Sequence, residues 1–147
     1  MGALGLPGIR LNDNPAATEI LQQDPLKGTL PGSPMDALPA HITKLTERGQ
    51  RAAWSPDGKR MLYLDATIGD VVEIDLATNT QREITAPFQN AGFLRAHYLS
   101  NGDLLLCGPE ERDPAIEEDG RFRGRLWVQR APFDTPPVLL GEPCWEG

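Results

Sequence analysis

Two copies of one strand–turn–strand pattern constrain the fold of this chain more than any other feature. In the first copy, an aromatic residue ends a short run of strand-forming residues and a four-residue turn follows it, and these residues are Trp54, Ser55, Pro56, Asp57 and Gly58. In the second copy, Tyr98 precedes a turn that contains Asn101 and Gly102. From Gly58 to Gly102 the offset is 44 residues. A period of about 40–45 residues is typical of the four-stranded unit of a β-propeller.

Further short runs rich in Val, Ile, Leu and Tyr follow the same order in both copies. In the first copy the runs are Ile42–Thr46, Arg51–Trp54, Arg60–Leu64, Val71–Leu76 and Gln81–Thr85. In the second copy they include Leu104–Cys107, Arg125–Gln129 and Val138–Leu140. Each run is about five residues long and turn-forming residues separate the runs, as in antiparallel hairpins. The sequence therefore predicts an all-β fold of antiparallel four-stranded meanders.

The distribution of proline and glycine sets the predicted domain boundaries. Residues 1–40 carry proline at positions 7, 15, 25, 31, 34 and 39, which predicts an extended Pro/Gly-rich strap at the amino terminus. This strap allows one short helix, since Asn14 can cap it and Pro15 suits its first position. The first unit then covers residues 41–87 and the second covers 88–141, with a charged insertion at 109–124. Residues 142–147 resemble the start of a third unit that is cut short.

Charge argues against nucleic acid as a partner, and the distribution of apolar residues argues against a membrane span. The net charge of −7 and the pI near 4.8 disfavour nucleic acid, because phosphate binding needs clustered basic residues. The acidic run at 110–119 lies beside Arg121, Arg123 and Arg125, so we expect the two to neutralise each other in a solvated loop. No stretch approaches 18 apolar residues, which predicts no membrane span. The first residues also lack the charged start and long apolar run of a signal peptide.

No residue pattern predicts a metal, a cofactor or a catalytic centre. Cys107 and Cys144 are either free or joined in a single bridge, because their spacing fits no metal site. His41 and His97 have no metal-type spacing with another histidine or cysteine. Residues 117–120 lack the alternating oxygen ligands of a calcium loop. Motifs for a serine nucleophile, a nucleotide loop or a zinc protease do not occur either.

Residues 53–63, Ala-Trp-Ser-Pro-Asp-Gly-Lys-Arg-Met-Leu-Tyr, resemble the repeat signature of WD-repeat-like β-propellers of the TolB type. The likeness continues through residues 69–78 and 82–85. In the second copy, Leu-Ser-Asn-Gly at 99–102 replaces Ser-Pro-Asp-Gly, so the likeness there depends on the offset. Altogether the resemblance covers about residues 42–141. It implies two blades of a truncated, incomplete propeller, and it suggests a periplasmic or secreted protein.

These observations lead to a functional hypothesis and one alternative. The hypothesis is a non-catalytic binding or scaffolding module whose loops contact a protein, a peptide or a small ligand. The alternative is the propeller portion of a hydrolase, or of a serine peptidase similar to prolyl oligopeptidase, whose catalytic residues lie outside this chain. Two blades cannot close a ring, so uncovered blade faces and strand edges also predict self-association.

The motif residues themselves are interpreted as structural. We expect the rings of Trp54 and Tyr98 to pack between neighbouring blades, with ligand stacking as the alternative. Asp57-Gly58 and Asn101-Gly102 are expected to form hairpin turns, because such dipeptides tolerate positive φ.

Overall fold

The computed structural model describes residues 33–36, 38–113, 115 and 120–145. These residues belong to two units that divide between Thr43 and Lys44. In the first unit, the 3₁₀ turn Pro34–Asp36 is closed by Ser33, whose carbonyl accepts a 2.9 Å hydrogen bond from the Asp36 N–H. The short helix predicted near Asn14, most of the predicted strap and the calcium-like segment at 117–119 lie outside the described residues.

The second unit consists of two four-stranded antiparallel sheets. Sheet 1 contains β1 (Gln50–Trp54), β2 (Arg60–Leu64), β3 (Val71–Asp75) and β4 (Gln81–Glu83). Sheet 2 contains β5 (Arg95–Tyr98), β6 (Leu104–Pro109), β7 (Gly124–Gln129) and β8 (Val138–Pro143). Each strand pairs with the next one along the chain, which is the order of a meander. The prediction of an all-β chain with two consecutive four-stranded meanders is therefore confirmed.

The strands differ from the sequence-based prediction in two places. Residues 42–46 form no strand, so that prediction was wrong. Their polar groups are instead satisfied locally: Lys44 pairs with Glu47, and the Thr46 hydroxyl donates a 2.6 Å hydrogen bond to the Arg48 carbonyl. An alternating pattern forms a strand only where a neighbouring strand pairs with it. At the other end of the unit, β8 continues through Glu142 and Pro143, which the sequence placed in a third unit.

The hydrophobic core lies between the two sheets. Paired residues on neighbouring strands share a face, so the pairs Leu62↔Glu73 and Leu64↔Val71 place one face of sheet 1 toward sheet 2. Tyr98↔Leu104 and Ala96↔Leu106 place one face of sheet 2 toward sheet 1 in the same way. The buried core residues are Leu62, Leu64, Val71, Ile84, Phe93, Ala96, Leu104, Leu106 and Phe133.

Strand direction divides the connections between two ends of the unit. Loops 65–70, 84–94 and 110–123 leave the carboxyl ends of β2, β4 and β6, and this end is called the linker end. The connections at 55–59, 76–80, 99–103 and 130–137 form the opposite, hairpin end. At the linker end, Gly69 and Phe93 form an antiparallel bridge, with N–H to carbonyl distances of 3.1 and 2.7 Å. This bridge joins the loop of sheet 1 to the segment that enters sheet 2.

Candidate functional site

The first predicted turn is closed by its own polar groups. The Ser55 hydroxyl donates to Asp57 Oδ1 at 2.7 Å and accepts from the Arg60 N–H at 2.9 Å. Asp57 Oδ1 also accepts from the Lys59 N–H at 3.1 Å. These hydrogen bonds, led by the Ser55 hydroxyl, lower the pKa of Asp57. Gly58 has φ 68°, and Pro56 is exposed in the same turn. The turn residues therefore stabilise the β1–β2 hairpin.

The second predicted turn is closed in a similar way. The Asn101 side-chain amide donates to Asp103 Oδ2 at 2.8 Å, and Asn101 Oδ1 accepts from the Asp103 N–H at 3.1 Å. Gly102 has φ 88°, in the left-handed region that favours glycine. Asp103 Oδ1 additionally accepts from the Ala131 N–H at 3.0 Å, which ties the β7–β8 connection to this turn. Asn101 and Gly102 thus have a structural role at the hairpin end.

The two motif aromatics have different environments. Tyr98 packs against the core, and its hydroxyl donates a 2.6 Å hydrogen bond to Glu73 Oε1 in sheet 1. Trp54 is 62% exposed, so the expectation that its ring is buried between the sheets is wrong for this chain. The reason is the register: Trp54 pairs with Met61, and that row lies on the face of sheet 1 turned away from sheet 2.

Tyr98 is held in a polar contact between the sheets. The Arg60 guanidinium lies 5.7 Å from the centre of the Tyr98 ring and 3.4 Å from Glu73 Oε1. Burial, and then the hydrogen bond to Glu73, raise the pKa of Tyr98 well above its ordinary value. The Tyr98 phenol therefore stays protonated. Its hydrogen bond to the buried Glu73 carboxylate joins the two sheets.

The histidines and cysteines form no reactive site in the described part of the chain. His41 is exposed, and His97 is exposed opposite Leu105. Among the described residues, no three His, Cys, Asp or Glu side chains are grouped closely enough to hold a metal ion. Cys107 and Cys144 form a disulfide bond, which decides between the two alternatives for them.

A cleft at the linker end is the best candidate for a binding site. It has a volume of about 580 Å³, within the range of small-ligand pockets. The cleft also reaches Pro137 in the β7–β8 connection. Its lining residues are Gln89, Asn90, Ala91, Phe93, Pro109, Glu110, Glu111, Arg112, Trp127 and Pro137. A second cleft of about 610 Å³ shares residues 89–91 and Arg112 with the first and extends to loop 65–70. The two clefts together form a groove across the linker end.

A hydrogen-bonded frame fixes the floor of this groove. Asp70 Oδ1 accepts from the Thr85 hydroxyl at 2.7 Å and from the Asn90 amide at 2.9 Å. Asn90 Oδ1 accepts from the Gly92 N–H at 2.6 Å, and the Thr85 hydroxyl accepts from the Val71 N–H at 2.9 Å. The amide of Asn90 is therefore used by the fold and is not free for a ligand.

Aromatic rings and one ion pair form another wall of the first cleft. The rings of Phe93 and Trp127 meet edge to face at 6.3 Å, and the indole N–H of Trp127 donates to the Gly108 carbonyl at 3.0 Å. Glu110 lies 3.7 Å from Arg125, so part of the predicted local charge neutralisation is present. The aromatic part of this wall is apolar, and the indole N–H of Trp127 is already bonded within the fold.

Arg112 is the available cation of this groove. It is partly buried, it lines both clefts, and no hydrogen bond or ion pair joins it to another described residue. A guanidinium is suited to a carboxylate or a phosphate because it donates two parallel N–H bonds. Sequence analysis missed Arg112 because it lies inside the charged insertion, which was interpreted as a solvated loop. Its isolation among acidic neighbours was the only signal.

Comparison of the chain with protein-family models, with curated protein sequences and with solved structures gave no match. The resemblance to TolB-type propellers therefore stays a prediction that depends on the residues at 53–63 and on the repeat. Within the described residues, no helical segment has the length and apolarity needed to cross a bilayer.

Proposed function

We propose that this chain is a non-catalytic binding module, built as two blades of a TolB-like β-propeller, and that its ligand binds in the groove at the linker end. The observation that carries the proposal is the partly buried Arg112 guanidinium between two adjoining clefts, without a partner among the described residues. Two meanders in sequence order, packed face to face, support the propeller part of the proposal.

The chemistry of the groove indicates the class of ligand. One accessible cation, the amide of Gln89 and the aromatic wall of Phe93 and Trp127 suit a ligand with a carboxylate and an apolar body. Glu110 and Glu111 on the same rim disfavour a polyanion, as does the net charge of −7. An extended peptide with one acidic group fits these requirements, because the two clefts continue into each other.

A peptide selection tests the proposal. Random peptides displayed on phage are selected on the wild-type protein, and the enriched peptides are measured by titration calorimetry. We expect enriched peptides to carry Asp, Glu or a free carboxyl terminus. Arg112→Gln should weaken their binding by about tenfold or more, the loss of one charge-assisted contact.

Arg130→Gln is the matched control, because Arg130 is exposed just after β7, at the hairpin end. It removes the same charge and should leave the affinity unchanged. Selection that enriches no peptide, or peptides that bind Arg112→Gln and wild type equally, would contradict the proposal.

A further inference from the structure

The two sheets correspond position by position. In sheet 1 the row Trp54, Met61 and Ile74 pairs across β1, β2 and β3. In sheet 2 the equivalent row begins with Tyr98 and Leu104. Trp54 is therefore the structural counterpart of Tyr98, the residue whose side chain reaches across to the preceding sheet.

The counterpart of Tyr98 makes no such contact. Tyr98 is partly buried against sheet 1, whereas the Trp54 side chain is 62% exposed and makes no ring contact or hydrogen bond with another described residue. Ile74, in the same row, is already 1% exposed. Trp54 is thus the one residue of that row whose large apolar surface stays open.

The opposite surface of the unit is the face of sheet 2 turned away from the core. Across its four strands the register gives the row His97, Leu105, Val128 and Val138. The equivalent positions in sheet 1 belong to Leu62 and Glu73, which are buried against sheet 2 at 0% and 7% exposure. Leu105 and Val128, their counterparts in sheet 2, are only partly buried, and Val138 beside them is 58% exposed.

The two faces differ in polarity in the same way as the two aromatic side chains that would pack on them. Glu73 accepts the hydrogen bond of the Tyr98 hydroxyl, and Val128 occupies the equivalent position in sheet 2. An apolar row of Leu105, Val128 and Val138 offers no acceptor for a phenol, but it offers apolar area to an indole. The open row of sheet 2 is therefore suited to Trp54.

We propose that Trp54 of one copy packs on the row Leu105, Val128 and Val138 of a second copy. Tyr63, Val72 and Ile74, on the same face as Trp54, are already buried, so the contact is centred on Trp54 in β1. Trp54 faces away from sheet 2 and Val138 faces away from sheet 1, so they cannot meet within one molecule. The contact is head to tail, which lets a chain of copies extend. It involves faces of the sheets, one of the two kinds of uncovered surface through which the sequence predicts association. It is independent of ligand binding at the linker end.

Two variants, each with one blocked face, test this association. Trp54→Asp blocks one face and Val138→Asp blocks the other, and both residues are exposed, so the fold should tolerate either change. By sedimentation velocity over a concentration series, we expect the wild type to form dimers and larger species. Each variant alone should be monomeric. An equimolar mixture should form a dimer and nothing larger, because one open face of each kind remains.

Phe122→Asp is the matched control, since Phe122 is 64% exposed on the 3₁₀ turn Arg121–Arg123 and lies in neither row. It should associate like the wild type. A wild type that is monomeric at every concentration would overturn the proposal. Association that persists in either single variant would overturn it too, as would a mixture that stays monomeric while the wild type associates. Circular dichroism of both variants should match the wild type, and the mixture reports folding independently, since a misfolded variant leaves both components monomeric.

Discussion

The hydroxyl of Tyr98, at the end of β5, donates a 2.6 Å hydrogen bond to Glu73 Oε1, in the middle of β3. The two residues belong to different sheets and are 25 positions apart in the chain. Glu73 is 7% exposed, so its carboxylate depends on protein donors in place of water. This bond is a polar link between the two sheets beside their apolar core.

Removing the Tyr98 hydroxyl should destabilise the fold. Tyr98→Phe leaves a buried carboxylate short of a donor, which should lower the free energy of unfolding by about 1.5–3 kcal/mol. Tyr63→Phe is the matched control, because the Tyr63 hydroxyl donates at 2.8 Å to the neutral and exposed Gln81. Tyr63→Phe should lower the free energy of unfolding by only about 1 kcal/mol. Urea denaturation compares the two, and an equal or smaller loss in Tyr98→Phe would contradict the cross-sheet role.

Stability should also decline at high pH through Tyr98. Burial and the hydrogen bond to Glu73 raise its pKa above the ordinary tyrosine value of about 10. Above that pH the unfolded chain releases the phenolic proton and the folded chain keeps it, so the free energy of unfolding falls as the pH rises. Below about pH 10, Tyr98 makes its full contribution to the free energy of unfolding. Urea midpoints over a pH series should fall more steeply for the wild type than for Tyr98→Phe; parallel curves would exclude this linkage.

Two tryptophans should differ in their effect on stability. Trp54→Ala should change the free energy of unfolding by less than about 1 kcal/mol, because the ring is 62% exposed. Trp127→Ala should cost about 3 kcal/mol or more, because that ring packs on Phe93 and its N–H is bonded to Gly108. Measurement at low protein concentration keeps association out of the comparison. Similar losses for the two variants would be inconsistent with the exposure of Trp54.

Reducing the disulfide should destabilise the second unit. The bond joins Cys107 in β6 to Cys144 just after β8, with a separation of 37 residues. A closed loop of this length contributes about 4 kcal/mol through the entropy of the unfolded chain. Thermal unfolding with and without dithiothreitol measures the effect. The double variant Cys107→Ala with Cys144→Ala should be as unstable as the reduced protein and should not respond to the reductant; a reductant effect in that variant would point to another cause.

The sequence by itself determined the local features of this protein. Runs of strand-forming residues predicted six of the eight described strands within a residue or two of their observed bounds, β8 in its first half, and β5 only by its last residue, Tyr98. Asp57-Gly58 and Asn101-Gly102 predicted the hairpin turns, because glycine at positive φ and a hydrogen-bonding side chain act over only a few residues. The 44-residue offset predicted two sheets of four strands.

Tertiary structure alone decided which surfaces are covered. Trp54 and Tyr98 occupy equivalent positions in the sequence repeat, yet only Tyr98 has a sheet to pack against. Arg112 looked like one charge among many until loops 84–94 and 110–123 placed it between two clefts. Exposure and neighbouring charges depend on residues that are distant in the chain, whereas strand period and turn chemistry depend on adjacent ones. For that physical reason, the residues of this sequence predict its strands and turns, and only the packing of the two sheets shows which of its side chains are free to bind.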